Sequence, residues 1–310
     1  MTTTAPIQGL VPPVVTPLKD DLTVDSGSLE RLVARMIDAG VDGLFALGSS
    51  GETALLDDAQ RDRALEVIVK TADGRVPVLA GAIEPATARA VERARAAERL
   101  GAQAVVATAP FYVIVGPHET ERHFRSVGAA VDVPLFAYDI PACVHSKLSN
   151  DLIVRLASDG VIAGVKDSSG DDVAFRQLLL SVADAGLTGF ATLTGHEVMV
   201  DSMLLAGASG SVPGLANVDP AGYARLHAAV AAGDLAGARA EQERLTRLFR
   251  IVEAADPATA AGMTRGAGSF KTALHVLGII DSNAISLPLR PLDSTEAERI
   301  RQILDSVGLL

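Results

Sequence analysis

Short apolar runs alternate with amphipathic stretches of helical period from Leu10 to about Ala232. The runs read as strands at Leu10 to Leu18, Val41 to Leu47, Val76 to Ile83, Ala104 to Pro110, Val133 to Ile140, Val161 to Lys166, Gly189 to Thr194 and Gly210 to Leu215. Between the first two, Leu29, Leu32, Val33, Met36 and Ile37 follow the i, i+3, i+4 spacing of one helix face over Ser28 to Ala39. A further helix is expected over Asp57 to Thr71, with Asp57 and Asp58 as capping candidates. Recurring strand-then-helix units call for parallel strands joined by right-handed crossovers, and eight of them suggest a closed (β/α)8 TIM barrel. The first strand is the awkward one, because Pro12, Pro13 and Pro17 have no N–H to give a ladder.

Beyond Gly233 the alternation stops and the pattern is helical only, at Asp234 to Ala254, Phe270 to Ile280 and Ser294 to Val307. Asp256-Pro257, Pro288 and Pro291 mark the breaks. The chain thus divides into a barrel over residues 1–232, expected to carry the active site, and a C-terminal helical extension over 233–310, packed on the barrel or used in assembly.

At 310 residues and 48% hydrophobic content the chain can bury a large core. A formal charge of −11 argues against nonspecific binding to nucleic acid and against anionic membrane surfaces. The single cysteine, Cys143, excludes an internal disulfide framework and a multi-cysteine zinc site, and it fits a reducing compartment. Met1 to Leu10 has neither a basic n-region nor a long apolar h-region, and no stretch has the unbroken apolar length of a membrane span. A cytoplasmic protein is expected.

Lys166 changes the picture most. It is one of five lysines beside twenty-two arginines, and it ends the apolar run Val161-Ile162-Ala163-Gly164-Val165. Two placements are open from the strand alone: just past its end in solvent, or inside it. An amine withdrawn from water holds its proton less tightly and is free to attack a carbonyl, which is the chemistry of a Schiff-base enzyme. In a barrel, active-site groups lie at the C-terminal strand ends, and polar residues gather there. Strand two runs into Gly48-Ser49-Ser50-Gly51-Glu52, strand four into Phe111-Tyr112, strand five into Tyr138-Asp139-Ile140-Pro141 and strand seven into Gly195-His196-Glu197. The Gly48 to Glu52 loop offers backbone N–H groups and two hydroxyls suited to a carboxylate, or is an ordinary glycine-rich turn; it is no Walker or dinucleotide loop. Tyr138 could relay a proton or be a core ring with its hydroxyl at the rim. The six histidines form no metal-binding motif; His123 reads as structural or surface, while His145 and His196 lie near strand ends within reach of a substrate.

Through these residues the chain resembles the N-acetylneuraminate lyase and dihydrodipicolinate synthase family of class I aldolases. Gly48-Ser49-Ser50-Gly51-Glu52 fits its glycine-hydroxyl-hydroxyl-glycine-glutamate loop, Tyr138-Asp139-Ile140-Pro141 its Tyr-x-x-Pro motif, and Gly164-Val165-Lys166-Asp167-Ser168-Ser169-Gly170-Asp171 its Schiff-base segment. Lys271-Thr272-Ala273-Leu274 and Leu287-Pro288-Leu289 resemble its C-terminal helical region, so the likeness spans essentially the whole chain. The resemblance implies a homotetramer built as a dimer of tight dimers, no cofactor, no metal, and pyruvate with an aldehyde as partners in the reaction. It implies that Lys166 condenses with the keto carbon, Tyr138 shuttles protons, Ser49 and Ser50 hold the carboxylate with Ser49 also serving Tyr138, and Tyr112 crosses the tight-dimer interface into the neighbouring site. Val212 lies where a backbone contact to substrate is expected, and Gly195 belongs to the same substrate-binding set.

The departures concern substrate. Synthases of lysine biosynthesis carry an arginine two residues after the motif proline, where this chain has Cys143. Sialic acid lyases carry adjacent acidic residues at the strand-seven end and a serine further on, where this chain has Gly195-His196-Glu197-Val198 and Gly214. The expectation is a Schiff-base lyase or aldolase acting on a 2-keto-3-deoxy sugar acid or related 2-oxo acid. The alternatives are dihydrodipicolinate synthase, a dehydratase of a keto-deoxy sugar acid, and a non-catalytic keto-acid-binding regulator.

Overall fold

The computed structural model describes residues 7–310, so the reading of the N-terminal stretch falls largely outside the described residues. Eight parallel strands alternate with helices in the order β1 (Gly9–Leu10), α1 (Ser26–Asp38), β2 (Leu44–Ala46), α2 (Asp58–Ala72), β3 (Val78–Gly81), α3 (Thr87–Arg99), β4 (Ala104–Thr108), α4 (Pro117–Gly128), β5 (Leu135–Asp139), α5 (Pro141–Val144), α6 (Asn150–Ser158), β6 (Gly164–Asp167), α7 (Asp172–Asp184), β7 (Ala191–Thr194), α8 (Val200–Leu205), β8 (Gly210–Ser211) and α9 (Pro220–Ala231). Then come α10 (Leu235–Phe249), α11 (Ser269–Val276) and α12 (Ser294–Ser306). Each strand pairs with its sequence neighbour from β2 to β8, and β8 pairs with β1. The circle closes between β1 and β2, where Pro13 bridges Phe45. The prolines explain why β1 is two residues long rather than the nine expected: Pro12 lends its carbonyl to the Phe45 N–H, and the next donor in the chain, Val14 N–H, returns to the Phe45 carbonyl (both 2.9 Å).

Strand parity sorts the core into two shells. Val11, Phe45, Leu79, Val106, Phe136, Tyr138, Leu193 and Val212 fill the barrel, while Val105, Ala107, Leu135, Ala137 and Val165 face the helices. The helix expectations hold with small shifts. Asp57 caps α2 in a reciprocal box with Gln60, worth about 1 kcal/mol. The segment expected as one helix to Ala254 ends at Phe249 and tightens into a 3-10 turn over Arg250–Glu253. A π-helical turn at Thr264–Gly268, which no periodicity announced, leads into α11. His123 is buried on α4, 2% exposed, with Nδ1 3.0 Å from Thr87 Oγ1. Among the described residues no helix is long and apolar enough to cross a membrane.

Candidate active site

Lys166 lies inside β6, since the strand continues one residue further, to Asp167. Its partner across the β5–β6 ladder is Tyr138, so parity sends both side chains into the barrel mouth. Lys166 is 5% exposed, with Nζ 4.0 Å from the centroid of the Tyr138 ring and 5.0 Å from that of Phe45. Of the two placements open from sequence, the structure has the buried one. The layer below is closed by Phe136: a Cβ on Gly164 would run into its ring and come 2.8 Å from Ala191 Cβ. Glycine there admits the ring that forms a dry floor under the amine.

Above that floor is a cavity of about 270 Å³, and five of the expected residues line it: Ser50, Tyr138, Lys166, Gly195 and Val212. Ser49 stands at the other side of Tyr138, its Oγ 3.4 Å from the phenol oxygen, at the long end of hydrogen-bond range. A second, largely apolar cavity of about 130 Å³ opens beside Ser49 and is walled by Phe111, Ile140, Cys143, Val144 and Met263. Cys143 thus lines this second cavity, with its thiol still within the field of the Lys166 charge. Tyr112 lines neither cavity. It is 92% exposed and stands with Val113 and Ile114 on an apolar tip, its backbone held at φ 71°, a region that costs a bulky residue of order 1–3 kcal/mol.

Two buried charge clusters support the strand ends, and neither was anticipated from sequence. Glu52, the last residue of the serine loop, is fully buried and paired with the equally buried Lys271 of α11. Its Oε2 accepts the Ser286 N–H at 2.7 Å, and Lys271 donates to the Ala284 carbonyl at 2.9 Å. Burial draws the Lys271 pKa below its ordinary value, against the attraction of Glu52. On the helix side of β5 and β6, Lys147 pairs with Asp139 and lies 3.3 Å from Asp167. Burial opposes the Lys147 ammonium, but the hydrogen bond to Asp139 and the charge of Asp167 outweigh it and raise its pKa. This cluster ties together the strands that carry Tyr138 and Lys166.

The β7 end completes the cavity wall with His196 and Glu197. His196 Nδ1 lies 3.2 and 3.1 Å from the two carboxylate oxygens of Asp172 at the start of α7. Glu197 Oε1 accepts the Gly214 N–H at 3.0 Å, and burial raises its pKa despite that bond. A Cβ on Gly214 would come 2.7 Å from the Phe270 ring and 3.0 Å from Glu197 Oε1, so glycine in place of serine makes room for the ring first and for this carboxyl. Among the described residues no three His, Cys, Asp or Glu side chains converge to hold a metal ion.

A buried amine among aromatic rings, with tyrosine and serine hydroxyls beside it at the mouth of a (β/α)8 barrel, marks the candidate site of a lyase. The family model described as the dihydrodipicolinate synthetase family matches residues 6–307. An uncharacterized DapA-like lyase of Halobacterium salinarum is 34% identical over 306 residues, covering 98% of this chain and 95% of that protein. The 4-hydroxy-tetrahydrodipicolinate synthase of Chlorobium phaeobacteroides is 32% identical over 307 residues and 98% of each chain. Among solved structures, the prophage protein YagE of E. coli K12, in complex with pyruvate, superposes with a TM-score of 0.91 at 28% identity, covering 98% of this chain and 99% of its own. The chain belongs to the dihydrodipicolinate synthetase family, whose members are pyruvate-dependent lyases.

Proposed function

We propose that this chain joins pyruvate to, or releases it from, an uncharged hydroxyaldehyde, acting as a lyase of a 2-keto-3-deoxy sugar acid or a related 2-oxo acid. The observation that carries the reading is Lys166, buried against the Tyr138 ring in a cavity shared with Ser50. The Lys166 amine attacks the keto carbon, Tyr138 protonates the departing hydroxyl, and water leaves as the imine forms. The protonated imine withdraws electrons from the adjacent carbon, so the Tyr138 phenolate left by the first step takes a methyl proton and an enamine forms without help from a cofactor. The enamine carbon then bonds to the aldehyde carbon, whose oxygen takes that proton back from Tyr138, and water hydrolyses the imine to free the 2-oxo acid and Lys166; cleavage is the reverse. Ser49 and Ser50 hold the carboxylate, and Ser49 passes protons to Tyr138. Gly195 and the Val212 backbone bound the same space.

The assembly reading rests on Tyr112, whose ring stands free on a strained tip, and on the apolar cavity beside Ser49 with room for a ring. Two copies exchanging Tyr112 complete both sites, and the exposed Val173 and Leu180, seven positions apart on one face of α7, supply a second apolar face for pairing such dimers into a tetramer.

A second reading, 4-hydroxy-tetrahydrodipicolinate synthase, is favoured by the names of relatives such as the C. phaeobacteroides protein. Against it stands Cys143, which cannot offer the bidentate clamp of an arginine. Borohydride trapping with pyruvate is the first test: one reduced pyruvyl group is expected at Lys166 and none in Lys166→Ala, and a label elsewhere sinks the assignment. A retro-aldol screen of 2-oxo acids with pyruvate release as readout then identifies the substrate and separates a lyase from a dehydratase or a binder without turnover. Aspartate semialdehyde is expected to be about a hundredfold or more poorer than the best hydroxyaldehyde; efficient turnover with it establishes the second reading instead.

A further inference from the structure

We infer that Lys147 is a positioning residue for the imine reaction: it neutralises two carboxylates that face each other directly behind Tyr138 and Lys166, and so keeps those two side chains at reacting distance. The inference rests on the lyase reading above. Along β5 and β6 the ladder pairs Tyr138 with Lys166 and, one residue on, Asp139 with Asp167. Alternation sends the first pair into the barrel mouth and the second to the helix side. Like charges directly opposite each other on neighbouring strands repel. Here both are buried, where water does little to screen them.

One cation meets that repulsion. Lys147 reaches in from the segment between α5 and α6, just past His145, whose left-handed backbone (φ 56°) turns the chain. Its Nζ donates to Asp139 Oδ2 and lies 3.3 Å from Asp167 Oδ2. The other two oxygens are held by uncharged groups. Asp139 Oδ1 accepts the Leu148 N–H at 3.1 Å, and Asp167 Oδ1 accepts the N–H and the hydroxyl of Ser169 at 2.8 and 2.7 Å. Among the described residues no other charged side chain pairs with any of the three. Burial raises the pKa of Asp139 against its bonds to Lys147 and Leu148, and the charge of Asp167 acts in the same direction as burial. Without the ammonium, one carboxyl of the pair therefore holds its proton to higher pH. Sharing a proton, the two stay together; fully ionised, they push β5 and β6 apart. Tyr138 and Lys166 ride on those strands one residue away, and an error of about 1 Å between reacting groups can cost on the order of a hundredfold in rate.

The test is exchange of the pyruvate methyl hydrogens for deuterium in D2O, followed by proton NMR, because it needs only pyruvate and the imine machinery and no knowledge of the aldehyde. Each exchange moves a methyl proton from the imine to Tyr138 and returns a deuteron to the enamine carbon. Rates are compared in the full-length protein, Lys147→Met and the double variant Lys147→Met/Asp139→Asn. Lys147→Met is expected to approach the unaltered rate at about pH 5 and to fall about tenfold or more below it by about pH 8. The deficit should lie in kcat and not in KM for pyruvate, since the serine loop that holds the carboxylate is untouched. The double variant has no second ionised carboxyl and should recover most of the rate at every pH. If Lys147→Met does not fold, Lys147→Gln, which keeps a donor for Asp139 but no charge, carries the same expectation. An unchanged rate, a deficit equal at every pH, a deficit largest at acid pH, or a double variant as slow as the single overturns the inference and leaves the imine chemistry standing. An unaltered protein that neither exchanges pyruvate nor takes the borohydride label removes the lyase reading itself.

Discussion

The buried Glu52–Lys271 pair joins the serine loop of the barrel to α11 in the C-terminal helices, and its disruption has a calculable consequence. Both side chains are 0% exposed, so a single substitution leaves an ion in a dry site. Removing one member of a buried pair costs about 3–5 kcal/mol, whereas removing both charges costs much less. That is a large share of the roughly 5–15 kcal/mol by which a native domain exceeds its unfolded state. Lys271→Met strands the Glu52 carboxylate with the Ser286 N–H, 2.7 Å away. Glu52→Gln keeps an acceptor for that N–H but leaves Lys271 with the Ala284 carbonyl alone, 2.9 Å away. The double variant keeps the acceptor and has no buried charge.

Urea unfolding of the four proteins forms a double-mutant cycle. Each single variant is expected to lose several kcal/mol, a midpoint shift of about 1–2 M urea for slopes of roughly 2–3 kcal/mol/M. The double variant should be more stable than the sum of the singles allows, with a coupling of about 2 kcal/mol or more. In Glu52→Gln the lone Lys271 gives up its proton in the folded state more readily than in the unfolded chain, so stability should rise with pH. Because Ser49 and Ser50 hang from Glu52, KM for pyruvate should also rise in the single variants more than kcat falls. Singles that add within about 0.5 kcal/mol would refute the pair as one energetic unit.

Three other outcomes follow from the geometry. Tyr138→Phe should still take the pyruvyl label at Lys166 yet turn over about a hundredfold or more slowly, as for a lost general acid/base; unchanged turnover in steady-state assays removes Tyr138 from the mechanism. Tyr112→Ala should weaken the dimer in sedimentation and cost turnover together, and a fully active monomer contradicts the exchanged-tyrosine reading. Stability should fall on acidification below about pH 6.5, because burial lowers the pKa of His123 and His227 to about 4, so the unfolded chain takes up protons that the folded one does not. His123 alone accounts for up to about 3 kcal/mol of this at pH 4. A further loss follows from about pH 4.5 towards 2, as Glu296, held at a pKa of about 2 first by its hydrogen bonds from Arg290, is protonated. Unfolding midpoints flat from pH 7 to 4 speak against the histidine part.

What was legible in the sequence is what repeats or alternates. Six of the eight strands lie within the apolar runs, and β1 and β6 overrun theirs by one residue, at Gly9 and Asp167, because a parallel strand covered on both faces must be largely apolar; the runs also overshoot, since Val133 and Ile140 remain apolar outside the paired residues of β5. The β1 prolines announced their own difficulty. Lys166 stood out as a cation at the end of an apolar strand, and parity then fixes its neighbour as Tyr138. Contacts made across the fold were not legible. Glu52 and Lys271 are 219 positions apart and each looks ordinary alone. Asp172 carried no signal in the sequence, and only the approach of β7 brings it to His196. The π-helical turn at Thr264–Gly268 has no periodicity to betray it. Cys143 was expected among the substrate-binding residues, and nothing in the sequence indicated that it would line a separate apolar cavity beside Ser49.

That division bears on how such a site changes substrate. The imine machinery sits on inward positions of β5 and β6, whose ends are clamped from the helix side by Lys147, Asp139 and Asp167. The loop that holds the carboxylate is clamped from the C-terminal helices by Lys271. Both clamps lie outside the cavity over Lys166, so they hold the reacting atoms without touching the aldehyde. The wall away from Ser49 is made by other groups, His196 and Glu197 at the end of β7. An exchange of His196 should cost the fold little, because it is partly exposed and its partner Asp172 lies on the first turn of a helix, whereas Glu197 also holds the Gly214 N–H. An arginine restored at position 143 would add charge on the Ser49 side while the β7 wall stayed in place. If the retro-aldol screen bears out a hydroxyaldehyde, Cys143→Arg alone is expected to leave aspartate semialdehyde a poor acceptor, because the β7 wall of the cavity over Lys166 is unchanged by it.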